Sequence, residues 1–213
     1  MKIRCVIYDC DGVLFDSLDA NRRLYNHICA SGGRGELTDE ELHFCHMHTV
    51  FESVHHLFPV DLEAEVRALE FLKAVNLGDY VEFLKMEPHL LETLAALRGR
   101  GIRTAISTNR TTSMPYVMKR FNLSPYFDMV VTALDVTRPK PHEESVEKIL
   151  AELELGRDEV VYIGDSEIDK KTAAASGVTF IAYKNPAIAD GGLSMDDHLA
   201  VLSLLSDERP LQS

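Results

Sequence analysis

The spacing of apolar and polar residues changes twice along the chain, and each regime predicts a different kind of element. Residues 3–8, Ile3-Arg4-Cys5-Val6-Ile7-Tyr8, form a short apolar run that ends on Asp9-Cys10-Asp11-Gly12. An apolar run of this length, bounded by a glycine turn, is the pattern of a buried strand. From residue 16 to about residue 85 the period becomes helical and no strand pattern recurs. Leu18, Leu24, Tyr25, Ile28 and Cys29 form one stripe, closed by Ser31-Gly32-Gly33. Thr38-Asp39-Glu40-Glu41 and Thr49-Val50-Phe51-Glu52 are capping boxes, each opening a helix with a hydroxyl and a glutamate three residues later. Val50, Val54, Leu57 and Phe58 keep helical spacing until Pro59, and a further helix is predicted over 61–77.

After Pro88 helix and strand alternate. Leu90, Leu91, Leu94 and Leu97 line a helix that stops at Gly99-Arg100-Gly101, and a strand over 102–106 ends in Ser107-Thr108-Asn109. A helix through Val117 and Phe121 precedes a strand over 129–134. Arg138-Pro139-Lys140-Pro141 leads into a helix reaching about residue 155. A strand over 160–163 runs into Gly164-Asp165-Ser166-Glu167-Ile168-Asp169, and a short helix then joins it to a strand over 178–183. Leu199, Leu202 and Leu205 mark a closing helix. Alternation of this kind is the signature of a parallel sheet. The expected fold is therefore α/β, with a core built from 1–15 and 86–213 and an all-α insertion at 16–85.

Composition narrows the class. With 213 residues and 46% hydrophobic content, the chain can bury a full core and a second, smaller module. A net charge of -12 argues against a general nucleic-acid or anionic-membrane surface, so any phosphate site must be positive locally. No apolar run is long enough to span a bilayer, and Met1-Lys2-Ile3-Arg4 leads into the first strand with no secretory pattern, which makes the cytoplasm the expected compartment. Cys5, Cys10, Cys29 and Cys45 form no CxxC pair and read as reduced thiols.

Chemistry concentrates where strands end. Asp9 and Asp11, Ser107 and Asn109, Lys140 and Asp165 all fall just past the carboxyl ends of predicted parallel strands, where open sheets bind ligands. Asp9 and Asp11, two apart on an extended backbone, project together while Cys10 points away. Crowded carboxylates call for a cation or a shared proton. Asp9, Asp11 and Asp165 are hard oxygen ligands suited to Mg²⁺. Lys140, Ser107 and nearby backbone N–H groups form an anion cradle. One carboxylate could then attack phosphorus in line while its neighbour moves the proton, which is phosphate-ester hydrolysis through an aspartyl-phosphate.

Asp9-Cys10-Asp11-Gly12-Val13-Leu14-Phe15-Asp16-Ser17, Ser107-Thr108-Asn109, Arg138-Pro139-Lys140-Pro141 and Gly164-Asp165-Ser166-Glu167-Ile168-Asp169 resemble, in order and spacing, the four motifs of the haloacid dehalogenase-like superfamily. The insertion resembles the small helical cap of its phosphoglycolate phosphatase-like branch. The resemblance covers the whole chain and implies a Rossmann-like three-layer core with a mobile lid, hinged near Asp16-Ser17 and Glu87-Pro88. It implies Asp9 as nucleophile and Asp11 as general acid and base, with the Asp11 backbone carbonyl on the metal. Ser107, Thr108, Asn109 and Lys140 would hold the phosphoryl group. Asp165 would complete the Mg²⁺ site, and Asp169 would support it through Lys140 or a bound water, or else simply cap the short helix that follows. The implied partner is a small phosphorylated metabolite, and the implied assembly a monomer or weak dimer.

Six of the nine histidines, His27, His43, His46, His48, His55 and His56, lie in the insertion. Their spacing lacks the usual zinc signatures. His46, His48 and Thr49 fall in the turn where the resemblance places the cap's substrate-reading loop; no glycine stands near His46, although relatives often carry one. Arg110 is either a substrate contact or a solvated arginine at a helix start. A sugar phosphomutase of the same family, a receiver-like domain and a catalytically idle phosphate-binding protein are the competing functions. Asp11 and the insertion weigh against a receiver, and Asp11 also weighs against dehalogenase or phosphonate-cleaving chemistry.

Overall fold

The first strand, β1 (Cys5–Tyr8), is buried along its whole length. Val6 and Tyr8 enter one apolar cluster and Cys5 and Ile7 another, as expected of a strand covered on both faces. The computed structural model describes residues 3–205; Met1-Lys2 and residues 206–213 of the closing stretch lie outside the described residues. In chain order there follow β2 (Phe15–Asp16), α1 (Leu18–Gly32), α2 (Asp39–Met47), α3 (Val50–Leu57), α4 (Leu62–Ala74), a 3₁₀ segment (Leu77–Phe83) and β3 (Lys85–Met86). Next come α5 (Leu90–Gly99), β4 (Arg103–Ser107), α6 (Met114–Arg120), β5 (Met129–Val131), α7 (Glu144–Glu152) and β6 (Val160–Gly164). The chain closes with α8 (Glu167–Ser176), β7 (Thr179–Tyr183), β8 (Leu193–Met195) and α9 (Ala200–Leu204).

One sheet runs β5-β4-β1-β6-β7-β8, every neighbouring pair parallel. The chain winds outward from β1 to β5 on one side and from β6 to β8 on the other, so the topological switch point lies beside β1. Leu90, Leu94 and Leu97 of α5, Val117 of α6 and Val201 of α9 cover the Val6/Tyr8 face. Val146, Ile149 and Leu150 of α7 and Ala173 of α8 cover the Cys5/Ile7 face, completing three layers. The α/β expectation is thereby met.

Helices α1–α4 bury their own cluster, including Tyr25, Ile28, Cys29, Cys45, Val54, Leu57 and Ala68. Both capping boxes form, with Thr38 and Thr49 each accepting from the backbone N–H of the glutamate three residues on. Where the chain leaves and rejoins the sheet, β2 and β3 pair antiparallel, Phe15 opposite Met86 and Asp16 opposite Lys85. No helix among the described residues is long and apolar enough to cross a membrane.

The structure departs most from the sequence pattern at three places. The helix expected over 61–77 ends at Ala74, and the 3₁₀ segment carries the chain onward. The strand expected over 129–134 stops at Val131, because Asp135 accepts from both the Thr132 N–H (2.8 Å) and the Thr132 hydroxyl (2.6 Å) and folds the chain into a turn. β8 is three residues long, too short to show a period.

Candidate active site

The carboxyl ends of β1, β4 and β6 face the turn between α2 and α3 across a cavity of about 70 Å³. Asp9 continues β1, its N–H donating to the Ile163 carbonyl at 2.9 Å. Following the strand's alternation, Asp9 leaves on the Ile7 side while Cys10 turns back into the core beside Tyr8. Gly12 adopts φ +74°, and a Cβ there would fall 2.0 Å from Asp165 Oδ2. Glycine is required on both counts, and it lets the loop fold back so that the Gly12 N–H reaches the Phe15 carbonyl at 2.8 Å.

Lys140 is the hub. Its ammonium lies 2.7 Å from Asp9 Oδ1 and 2.7 Å from Asp169 Oδ1, with only 4% of its side chain exposed. Burial alone would favour a neutral lysine, but the Asp169 and Asp9 charges outweigh it and hold the pKa well above the ordinary value. Asp169 is fixed in turn: it closes a capping box with Ser166 at the start of α8 and accepts from the Tyr162 hydroxyl at 3.2 Å. It therefore both caps its helix and anchors Lys140.

Asp165, at the end of β6, completes a group in which oxygens of Asp9, Asp165 and Asp169 lie within 4.8 Å of one another. Burial, then the neighbouring carboxylates, push the pKa values of Asp9 and Asp165 upward. Three carboxylates around one lysine leave the group short of positive charge, and an all-oxygen donor set fits a hard divalent cation such as Mg²⁺.

Asp11 is engaged differently. Arg110 grips it bidentately, Nε donating to Oδ2 at 2.7 Å and Nη2 to Oδ1 at 2.6 Å. Burial raises the Asp11 pKa, but the Arg110 guanidinium more than offsets this and the carboxyl is held below its usual range. Arg110, with 11% of its side chain exposed, is thus a pocket residue and not a solvated helix-start arginine.

The second predicted motif needs a correction. Ser107 does not line the cavity; its hydroxyl is buried against Ser145 Oγ at 2.8 Å. Alternation along β4 explains this: Ala105 faces the α7 side, Ser107 follows it, and Ser145 lies on α7. Thr108 and Asn109 do line the cavity. Asn109 Oδ1 accepts from the Lys140 N–H at 3.1 Å, and its Nδ2 donates to the carbonyls of Lys140 and Met47, both at 3.2 Å. One amide thereby links β4, the Lys140 loop and the helical segment.

From that segment His46 and His48 line the cavity, while Thr49 caps α3. His46 Nδ1 meets Asn21 Nδ2 at 3.0 Å, and its Nε2 stands 4.0 Å from Asp165 Oδ2; burial lowers its pKa. His48 and His56 stack on opposite sides of Phe44, each at 3.8 Å between ring centroids, and His55 pairs with Glu65. Asn21 and Tyr80 also line the cavity. Neither follows from the sequence pattern, since each sits on a helix with no motif to mark it.

Residues 6–183, which carry this site, match the haloacid dehalogenase-like hydrolases, and the chain belongs to that family. A Geobacter sulfurreducens hydrolase of the same superfamily, subfamily IA variant 1, is 38% identical in its solved structure, with TM-score 0.76 over 95% of this chain and 96% of that one. The Bacillus thuringiensis (strain Al Hakam) pyrophosphatase PpaX is 27% identical over 95% of this chain and 98% of its own. The phosphoglycolate phosphatase of Rhodobacter capsulatus is 29% identical over 84% of this chain and 83% of its own.

Proposed function

We propose that the protein is a Mg²⁺-dependent phosphatase that hydrolyses a small phosphorylated metabolite through an aspartyl-phosphate on Asp9. The observation that carries this reading is the Lys140 ammonium bridging Asp9 and Asp169 at 2.7 Å each, which fixes one oxygen of Asp9 at the cavity wall and leaves the other for attack. Thr108, Asn109 and Lys140 would receive the phosphoryl oxygens. Asp9, Asp165 and the Asp11 backbone carbonyl would hold Mg²⁺, with Asp169 beside them, and the ion when bound would neutralise the charge that otherwise repels a phosphate dianion.

An Asp9 oxygen attacks phosphorus as the ester P–O bond breaks, and the leaving oxygen takes its proton from the Asp11 carboxyl. Water then attacks the aspartyl-phosphate, giving its proton to Asp11, and inorganic phosphate leaves with Asp9 restored. The small cavity supports a small substrate, and the names of the relatives support pyrophosphate or phosphoglycolate as the kind of compound.

The test is turnover of p-nitrophenyl phosphate, phosphoglycolate and pyrophosphate with Mg²⁺, together with trapping of a phosphoenzyme. Asp9→Asn is expected to abolish phosphoenzyme formation, whereas Asp11→Asn slows both half-reactions with a nucleophile still in place. Full activity in Asp9→Asn would end this reading.

A further inference from the structure

Resting on the phosphatase reading, the Arg110–Asp11 pair presents a difficulty whose solution identifies the substrate. A carboxyl that gives up a proton in one step and takes one in the next must be able to hold one, yet both oxygens of Asp11 accept from the Arg110 guanidinium, at 2.6 and 2.7 Å, a bidentate pairing that favours the bare carboxylate. The third guanidinium nitrogen reaches Ser113 Oγ at 3.3 Å, so the fork is aimed from two sides. The Arg110 main chain is fixed independently: its N–H donates to Thr108 Oγ1 at 3.1 Å and its carbonyl accepts from Ala133 at 3.1 Å. The side chain can therefore swing without disturbing Thr108 or Asn109.

Two permanently charged cations, Arg110 and Lys140, line the cavity. Lys140 is committed to Asp9 and Asp169. The acidic lining residues, Asp9, Asp11 and Asp165, all follow sheet strands, and the polar side chains from the segment opposite, among them Asn21, Tyr25, His46, His48 and Tyr80, are uncharged or weakly basic. A substrate with a second anionic group would find Arg110 as the one lining cation not already shared by two carboxylates. A carboxylate or phosphoryl group offers the same bidentate geometry as Asp11, so the guanidinium exchanges one fork partner for another without being left bare in a buried site.

We propose that Arg110 is a specificity-determining and positioning residue: the protein acts on phosphate compounds carrying a second anionic group, a carboxylate or a second phosphoryl, next to the scissile phosphoryl, and that group draws Arg110 off Asp11. Recognition and release of the acid–base carboxyl are then one event. A simple monoester leaves Asp11 clamped and turns over slowly even when bound.

The experiment compares kcat and KM for p-nitrophenyl phosphate with those for phosphoglycolate and pyrophosphate, in the full-length protein with Mg²⁺ and in Arg110→Gln and Arg110→Lys. For Arg110→Gln the KM for phosphoglycolate and pyrophosphate is expected to rise about tenfold or more, the worth of a lost charge-assisted contact, while kcat on p-nitrophenyl phosphate increases several-fold. Arg110→Lys, which keeps the charge but not the fork, recovers part of the KM loss, and it carries the comparison alone if Arg110→Gln does not fold. Equal losses on all three substrates in the variants would make Arg110 a mere prop for Asp11 and overturn the proposal while leaving the phosphatase reading intact. No turnover of any phosphate by the unmodified protein would remove both.

Discussion

Asp9 and Asp169 divide the Lys140 ammonium between them, while Asp165 faces a histidine 4.0 Å away whose burial keeps it inclined to the neutral form. A cation that binds this group only in the folded protein must raise its stability, by about 2.7 kcal/mol at a hundred times Kd. For a chain of this length that is a rise of roughly 5–10 °C in Tm. Thermal melts in excess Mg²⁺ and in chelator should show it for the unmodified protein and show little of it for Asp165→Asn; an equal rise in both would place the ion elsewhere. Asp9, Asp11, Lys140 and Asp165 were legible because Gly12, Gly164 and the two prolines around Lys140 mark the turns that carry them. The partner of Arg110 was not: an ion pair across 99 positions leaves no local pattern. Ser107 misled for a related reason, since two adjacent hydroxyls at a strand end look alike until it is known which side each faces.

The turn between α2 and α3 brings His46 and His48 to the cavity, and Thr49 holds it in place. The Glu52 N–H donates to Thr49 Oγ1 at 3.3 Å, and Glu52 Oε2 accepts from the Thr49 N–H at 2.9 Å and hydroxyl at 2.7 Å. Thr49→Ala should cost about 1 kcal/mol as a lost N-cap. Since His48 directly precedes the cap, it should also raise KM with a smaller effect on kcat. Thr38→Ala, at the far end of α2, should lose similar stability by urea unfolding with KM unchanged. A KM shift of the same size in both would mean that the turn owes its placement to something other than its cap. Both capping boxes were readable because the motif is local and spans four residues. The 3₁₀ segment and β8 were not, because short elements take their conformation from what they pack against.

The loop after β1 and the segment before α9 meet at His198. Its Nε2–H donates to the Val13 carbonyl at 2.9 Å, 185 positions away, and its ring stacks on Tyr183 at 4.6 Å. The donor must be Nε2–H, since a carbonyl only accepts; Nδ1 is then bare, and it is buried without a partner. Burial lowers the pKa against the pull of the Val13 carbonyl, Glu87 and Asp197, with Lys184 adding to the depression. The unfolded chain therefore binds a proton, below about pH 6.5, that the folded chain refuses, and stability falls as pH drops through that region. His198→Gln keeps a donor for Val13 and has no proton to gain. The stability advantage of the unmodified protein over this variant should shrink by about 1 kcal/mol between pH 7.5 and pH 5.5 in urea unfolding, and a constant difference would refute the assignment. Such a contact could not be read from the sequence, although the alternation after Pro88 made the parallel sheet itself plain. The same burial governs the thiols. Cys5 and Cys10 lie in the two clusters flanking the sheet, Cys29 and Cys45 in the helical one, and all four are free and buried. Each body thus carries its own pair of concealed labels, and the order in which a thiol reagent reaches them under native conditions times the opening of the helices against that of the sheet.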